Sequence, residues 1–182
     1  MTDAVVRLFV AIYPPASEAE AMLRAMRKLH AAPHRETPVT QVHMTLQFVG
    51  EIDRSEQAGV IESVERSVAG LAAFSLTPER LITLPKRGRP RLIAARTDAP
   101  GTLLEIQRRL ATRLARNPRD RAGDRFTPHF TLCRFTHAAR PDPADAPIRL
   151  PPFRVEQVYL MRSVLLPEGA EHAPVHQAPL LG

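Results

Sequence analysis

Apolar and polar positions along this chain follow two periods, and the changes from one to the other lay out its elements. Residues 5–12 (VVRLFVAI) are rich in β-branched and aromatic side chains and stop at Pro14-Pro15, which predicts a strand. A helix follows to about residue 30, with Ser17 and Glu20 as a capping box and Met22, Met26 and Leu29 as its apolar stripe. Pro33 and Pro38 bracket a loop. In residues 42–49 the period becomes two: His43, Thr45 and Gln47 share one face, and Val42, Met44, Leu46 and Phe48 point into a core. A second helix begins at a cap made by Asp53 with Glu56, turns Ile61, Val64 and Val68 inward and closes at Gly70.

Residues 74–84 and 91–97 read as two strands joined by a basic loop, with Pro78 bending or bulging the first. Leu103, Ile106, Leu110 and Leu114 are spaced to bury one face of a third helix, leaving Arg108, Arg109, Arg113 and Arg116 towards solvent. A loop over 117–128 delivers another strand at His129. Residues 138–152, with five prolines, form an irregular connection. Residues 155–166 read as a long strand, Glu168-Gly169 as a turn and 172–176 as a short last strand. Strands and helices in this order predict an α+β (mixed α/β) chain whose helices cover sheet faces.

The tetrad His43-Met44-Thr45-Leu46 returns as His129-Phe130-Thr131-Leu132. In the second copy His129 and Thr131 share a face while Phe130 and Leu132 take the other. A single His-x-Thr in a strand is more often a half-buried histidine than a site, but two matching copies favour chemistry. One imidazole can take a proton from an attacking water and the other can protonate the departing oxygen. The threonine hydroxyls can hold the non-bridging oxygens of a phosphodiester.

These paired His-x-Thr-x motifs resemble the 2H phosphoesterase superfamily, in particular the bacterial RNA 2',3'-cyclic phosphodiesterases also described as 2'-5' RNA ligases. Residues 7–12 resemble the family's opening strand, 43–51 and 128–134 its two motifs, 89–93 a central segment and 160–169 a closing strand. The resemblance implies one bilobal domain over residues 1–182: two pseudo-symmetric lobes of antiparallel-rich sheet, covered by helices, each lobe placing one motif on a central cleft. It implies metal-independent opening of a terminal 2',3'-cyclic phosphate to a 2'-phosphate. His43 would be the proton donor to the 3' oxygen, His129 the proton acceptor activating water, and Thr45 and Thr131 the phosphate holders. It also implies the reverse joining of such ends to 5'-hydroxyls. The alternative from another class is an RNA-end-binding protein that grips phosphate without turnover. The family often carries a tryptophan near Ala94 and a tyrosine near His172, whereas this chain has no Trp. Phe9, Phe48 and Tyr159 could stack on a base, though a core role is expected of each.

The formal net charge of +6 and pI near 10.6 point to a polyanionic partner, here RNA with cyclic-phosphate ends. Clustering says more than the total, because an arginine-rich, lysine-poor composition can follow from a GC-rich genome. Lys86, Arg87, Arg89 and Arg91 crowd one loop, and Arg116, Arg119, Arg121 and Arg125 crowd another that leads into His129. Arg119, Arg121 and Arg125 are expected on the RNA. So is Arg134, which matches an arginine common in the family, although strand parity sets it opposite His129 unless a bulge turns it. The same parity puts Cys133 on the histidine side, where packing is preferred to a nucleophilic role. His30 with His34, and His172 with His176, are expected exposed, since Pro33 and Pro174 deny a helix to either pair. No phosphate-binding glycine loop, paired Cys-x-x-Cys or carboxylate cluster is present, so no cofactor and no metal is expected. The apolar stretch 8–13 is too short for a signal peptide or a membrane span, which predicts a cytoplasmic protein, and a monomer is expected.

Overall fold

The structure is a computed structural model that describes residues 5–115, 126–166 and 169–182. Its central strand is β1 (Val5–Ile12), whose bounds are those expected from the sequence. From Leu8 onward β1 is buried on both faces. Leu8, Val10 and Ile12 enter the main core, and Phe9 and Ala11 join Met161 in a second cluster flanked by Tyr13 and Tyr159. On one side β1 pairs antiparallel with β3 (Met44–Asp53), and on the other with β10 (Gln157–Leu166), which in turn pairs with β11 (Gly169–Pro179).

The second sheet runs β2 (His34–Glu36), β7 (His129–Phe135), β6 (Leu92–Thr97), β5 (Pro78–Leu84) and β8 (Asp145–Pro147), again with antiparallel neighbours. The two halves match. β1 leads through helix α1 (Ala16–Arg27) to β3, and β6 leads through helix α3 (Gly101–Leu114) to β7. In each half the first strand lies between the His-x-Thr strand and one further strand, β10 or β5. The fold is therefore α+β and mostly antiparallel. A short ladder of β4 (Phe74–Leu76) with β9 (Phe153–Val155) stands apart, because the strand expected over 74–84 divides at Thr77.

The helices join the halves. α3 packs on α2 (Gln57–Val68) and on β3 of the other half, while α1 reaches β7. Leu103, Ile106, Leu110 and Leu114 are all in the main core, as their spacing predicts, alongside Phe130 and Leu132 of β7 and Met44 and Leu46 of β3. One contiguous core thus backs both histidine strands. The Asp53–Glu56 box forms, with the Asp53 N–H donating to the Glu56 carboxylate at 3.1 Å, and opens a 3-10 turn (Arg54–Glu56) ahead of α2.

The box expected at Ser17 does not form. α1 starts at Ala16 behind Pro15, whose carbonyl accepts from the N–H groups of Glu18 and Ala19 at 3.0 Å each, so Ser17 lies inside the helix. Glu20 instead holds Arg27 at 2.8 Å. The irregular connection expected over 138–152 contains β8, and the last strand is longer than expected because β11 runs beside β10 along its whole length. No helix among the described residues is long and apolar enough to cross a membrane.

Candidate active site

His43 follows a 3-10 turn (Val39–Gln41) and precedes β3, and its ring folds back so that Nδ1 lies 2.6 Å from the carbonyl oxygen of Gln41. His129 repeats this two residues from Thr127, with Nδ1 2.7 Å from that carbonyl. A carbonyl can only accept, so each ring must donate from Nδ1. In the neutral form this leaves the Nε2 lone pair free. Thr45 and Thr131 stand two residues on, half-buried, and neither hydroxyl hydrogen-bonds to a described residue.

Bulges decide what else faces this cleft. Thr45 is opposite Ala11, yet Gln47 is opposite Val10 and Phe48 opposite Phe9, since β3 gains an extra residue at Leu46 and again at Val49. Directly paired antiparallel residues share a face. Gln47, expected beside His43, accordingly turns into the core, where its amide donates to the Phe48 carbonyl at 2.8 Å. Phe48, expected in the core, comes onto the histidine face and is 68% exposed.

β7 bulges at Leu132, with Ala94 opposite Thr131 but Ile93 opposite Cys133. Cys133, which parity put on the histidine side, is fully buried in the main core with its thiol pushed up by burial. Arg134, which parity put on the other side, turns to the cleft, and its charge bears on both His43 and His129. Among the expected site residues, His43, His129 and Arg134 are near enough for their charges to act on one another, and Thr45 and Thr131 follow the two histidines on their strands. Arg119, Arg121 and Arg125 lie outside the described residues.

The surroundings of His43 include two groups, Tyr13 and His172, that the sequence did not place there. Its ring stacks on Tyr13 (centroids 5.4 Å), tilts against Phe9 (5.2 Å) and meets His172 edge-on (4.9 Å). His172 and His176 are half-buried rather than exposed, and so is His34. The expectation failed because it tested the 172/176 pair as a helix. β11 is an edge strand, where proline is tolerated, and its pairing with β10 carries His172 to the cleft. Strand alternation over 169–179 was the signal that could have found it. The Tyr13 hydroxyl and the His172 Nδ1 are buried without a hydrogen-bond partner. Such orphans are uncommon in folded proteins and suit a cleft built for a polar ligand. Among the described residues no group of three or more His, Cys, Asp or Glu side chains is placed to hold a metal ion.

Burial lowers His43 to about 4, and nearby positive charge on His172, Arg134 and His129 adds to the effect, against the pull of the Gln41 carbonyl. Burial also lowers His129, helped by Arg134 and opposed by the Thr127 carbonyl. The free protein therefore favours two neutral imidazoles. This makes a stability prediction. As pH falls below about 6.5 the unfolded chain protonates at position 43 while the native chain does not, so stability is lost progressively until about pH 4. The full shift corresponds to about 3 kcal/mol. Urea midpoints at pH 7 and pH 4.5 should show His43→Gln losing less stability on acidification than the parent. An equal loss would mean that another group carries the acid sensitivity.

Residues 13–164 match the 2'-5' RNA ligase superfamily. Among characterised relatives, the RNA 2',3'-cyclic phosphodiesterase of Thermus thermophilus is 29% identical over 195 aligned positions, covering 97% of this chain and 91% of that protein. The enzyme of the same name from Thermotoga maritima is 24% identical, covering 78% of this chain and 76% of its own. The solved structure of TT0787 from Thermus thermophilus superposes with a TM-score of 0.81 at 28% identity, covering 97% of this chain and 98% of its own. The unliganded form of E. coli LigT, at 21% identity, shares the fold with a TM-score of 0.73 over 98% of this chain and 99% of its own. With the family match spanning both histidine strands and the fold agreeing over nearly its whole length, the chain belongs to the 2'-5' RNA ligase superfamily, the 2H phosphoesterases.

Proposed function

We propose that the chain hydrolyses the terminal 2',3'-cyclic phosphate of RNA to a 2'-phosphate without a metal ion, using His43 and His129 as acid and base. The observation that carries this reading is the pair of imidazoles, each held by Nδ1 on the carbonyl two residues before it, with a free hydroxyl two residues after it. His129 Nε2 takes a proton from water as the water oxygen attacks phosphorus. The P–O3' bond breaks, and His43 gives its Nε2 proton to O3'. Thr45 and Thr131 donate to the non-bridging oxygens, and Arg134 offsets charge gathered there. His43 is neutral in the free protein and gains its proton as the phosphodiester anion arrives, because an adjacent negative charge favours the imidazolium. A 5'-hydroxyl in place of water opens the same ring by transesterification, breaking the same P–O3' bond and leaving a 2'-5' linkage. Phe48, exposed on the histidine face, offers its ring to the terminal base.

We further infer one bilobal domain over residues 1–182, supported by the core shared between the two halves, and a cytoplasmic monomer as the form that acts. The direct test is a short oligonucleotide with a cyclic-phosphate end, incubated with excess EDTA and followed by mass. The expected product is heavier by one water and resists an enzyme specific for 3'-phosphates. Tight binding with no mass change would replace the enzyme by an RNA-end-binding protein.

A further inference from the structure

Two cavities border the surroundings of the histidines, one at Arg134 and one at Tyr13, and they suit different neighbours. One, of about 630 Å3, lies between the β5–β6 loop and the end of β7, with Arg134 on its boundary. The other, of about 230 Å3, lies beyond Tyr13 and Tyr159. Pockets that take drug-sized ligands run from about 300 to 1,000 Å3, and the first falls within that range.

Charge separates them as well. The smaller cavity's cation, Arg154, is held by Glu156 at 3.3 Å, and both residues line it. In the larger one Arg87, Arg91 and Arg134 are exposed, and none of their guanidinium groups has a carboxylate or other hydrogen-bond partner among the described residues. Arg89 has a different task. Its guanidinium donates to the carbonyls of His137 and Ala139, which ties the β5–β6 loop to the segment after β7 and fixes the cavity's walls. Gly88, at φ +82°, lets that loop turn tightly. Phe135 and Pro85 supply an apolar wall.

We propose that this groove is the subsite for the nucleotide on the 5' side of the cyclic end, so that the protein holds single-stranded RNA across two nucleotides. This rests on the proposed hydrolysis of cyclic-phosphate RNA. With the cyclic phosphate between the two imidazoles, the strand can leave only through the 5' phosphate of its terminal nucleoside. Arg134, on the groove's boundary, stays with the scissile phosphate, and Arg91 is placed to meet the 5' phosphate. Arg87 continues the positive track to the next phosphate, and the next base rests on Phe135. Unpaired arginines along the backbone and an apolar face for a base are the two components of sequence-tolerant single-strand binding.

The test compares a cyclic mononucleotide with 5'-phosphorylated oligonucleotides of two and six residues ending in a cyclic phosphate, for wild type and for Arg87→Ala/Arg91→Ala. Losing charge-assisted contacts should raise KM for the oligonucleotides by about tenfold or more, with kcat kept and the mononucleotide affected little. Two lost phosphate contacts should also flatten the log–log salt dependence of oligonucleotide binding by about 1.4 in slope. In wild type the dinucleotide should already show most of the gain in kcat/KM over the mononucleotide. Equal losses on all three substrates would overturn the proposal by assigning the loop to the reaction centre or the fold. An unchanged KM for the oligonucleotides would overturn it too. If wild type turned over none of them, the hydrolysis reading would fall, and fluorescence anisotropy of a labelled cyclic-phosphate hexanucleotide would still decide the groove: weaker, less salt-dependent binding by the variant supports it, and identical curves reject it.

Discussion

Replacing His43 or His129 by Ala should lower kcat on a cyclic-phosphate oligonucleotide by at least about 10²-fold, and by up to about 10⁴-fold, the range supplied by general acid or base assistance. The dissociation constant for the same RNA should change far less, since each imidazole acts mainly when a proton is in transit and Thr45, Thr131 and Arg134 remain to hold phosphate. The double variant should lose less than the product of the single losses, because the two groups work on one transition state. Both rings pack in the cleft, so each variant is also compared by thermal melting, and His129→Asn serves as a second probe that leaves a smaller void. A variant that melted normally and kept near-normal kcat would remove that histidine from the mechanism. A loss confined to binding would instead favour a phosphate-gripping protein.

The second large effect expected is on the pH dependence. Hydrolysis needs His43 charged and His129 neutral, so rate should fall at high pH as His43 loses its proton and at low pH as His129 gains one. The profile of kcat/KM reports the free enzyme. There His43 is at about 4 and His129 is also below its ordinary value, so this bell should lie on the acid side of pH 6.5. In the complex the phosphodiester anion raises the nearer imidazole, and the profile of kcat should move to higher pH. The limbs are macroscopic values of the coupled pair. Deleting His43 should leave residual activity without the high-pH fall, and deleting His129 should leave it without the low-pH fall. All of these curves should be unchanged by EDTA. Activity lost to the chelator and restored by a divalent ion would mean a metal-generated nucleophile instead. A kcat/KM maximum above pH 8 would contradict the buried, neutral imidazoles.

Much of this architecture was legible from spacing alone. The run at 5–12 gave β1 its bounds, the four leucine and isoleucine positions of α3 gave its buried face, and the Asp53–Glu56 box gave the start of the turn before α2. These features are local: a period of two or 3.6, or a cap within four residues, needs no knowledge of the partner. The same holds for the histidine and threonine of the two His-x-Thr tetrads, which do share a face, because each strand becomes irregular only after its threonine, at Leu46 and at Leu132.

Tertiary structure decided what lies beyond each tetrad. Alternation assigns faces only while the ladder is regular, and a bulge is defined by two residues opposing one on a neighbouring strand. Only β1 shows that Gln47 leaves the cleft and Phe48 enters it, and only β6 shows that Cys133 and Arg134 exchange sides. Edge strands β2 and β8 have three residues each, too few for a hydrophobic repeat of their own, and exist by virtue of hydrogen bonds to β7 and β5. His172 belongs with them, since its place against His43 comes from the long antiparallel run of β11 on β10 and not from its own neighbours in sequence. The sequence alone thus determined which residue types carry the chemistry and which elements bear them. The pairing of distant strands decided which of the flanking side chains share the cleft, because strand register is a property of two segments and cannot be written in one.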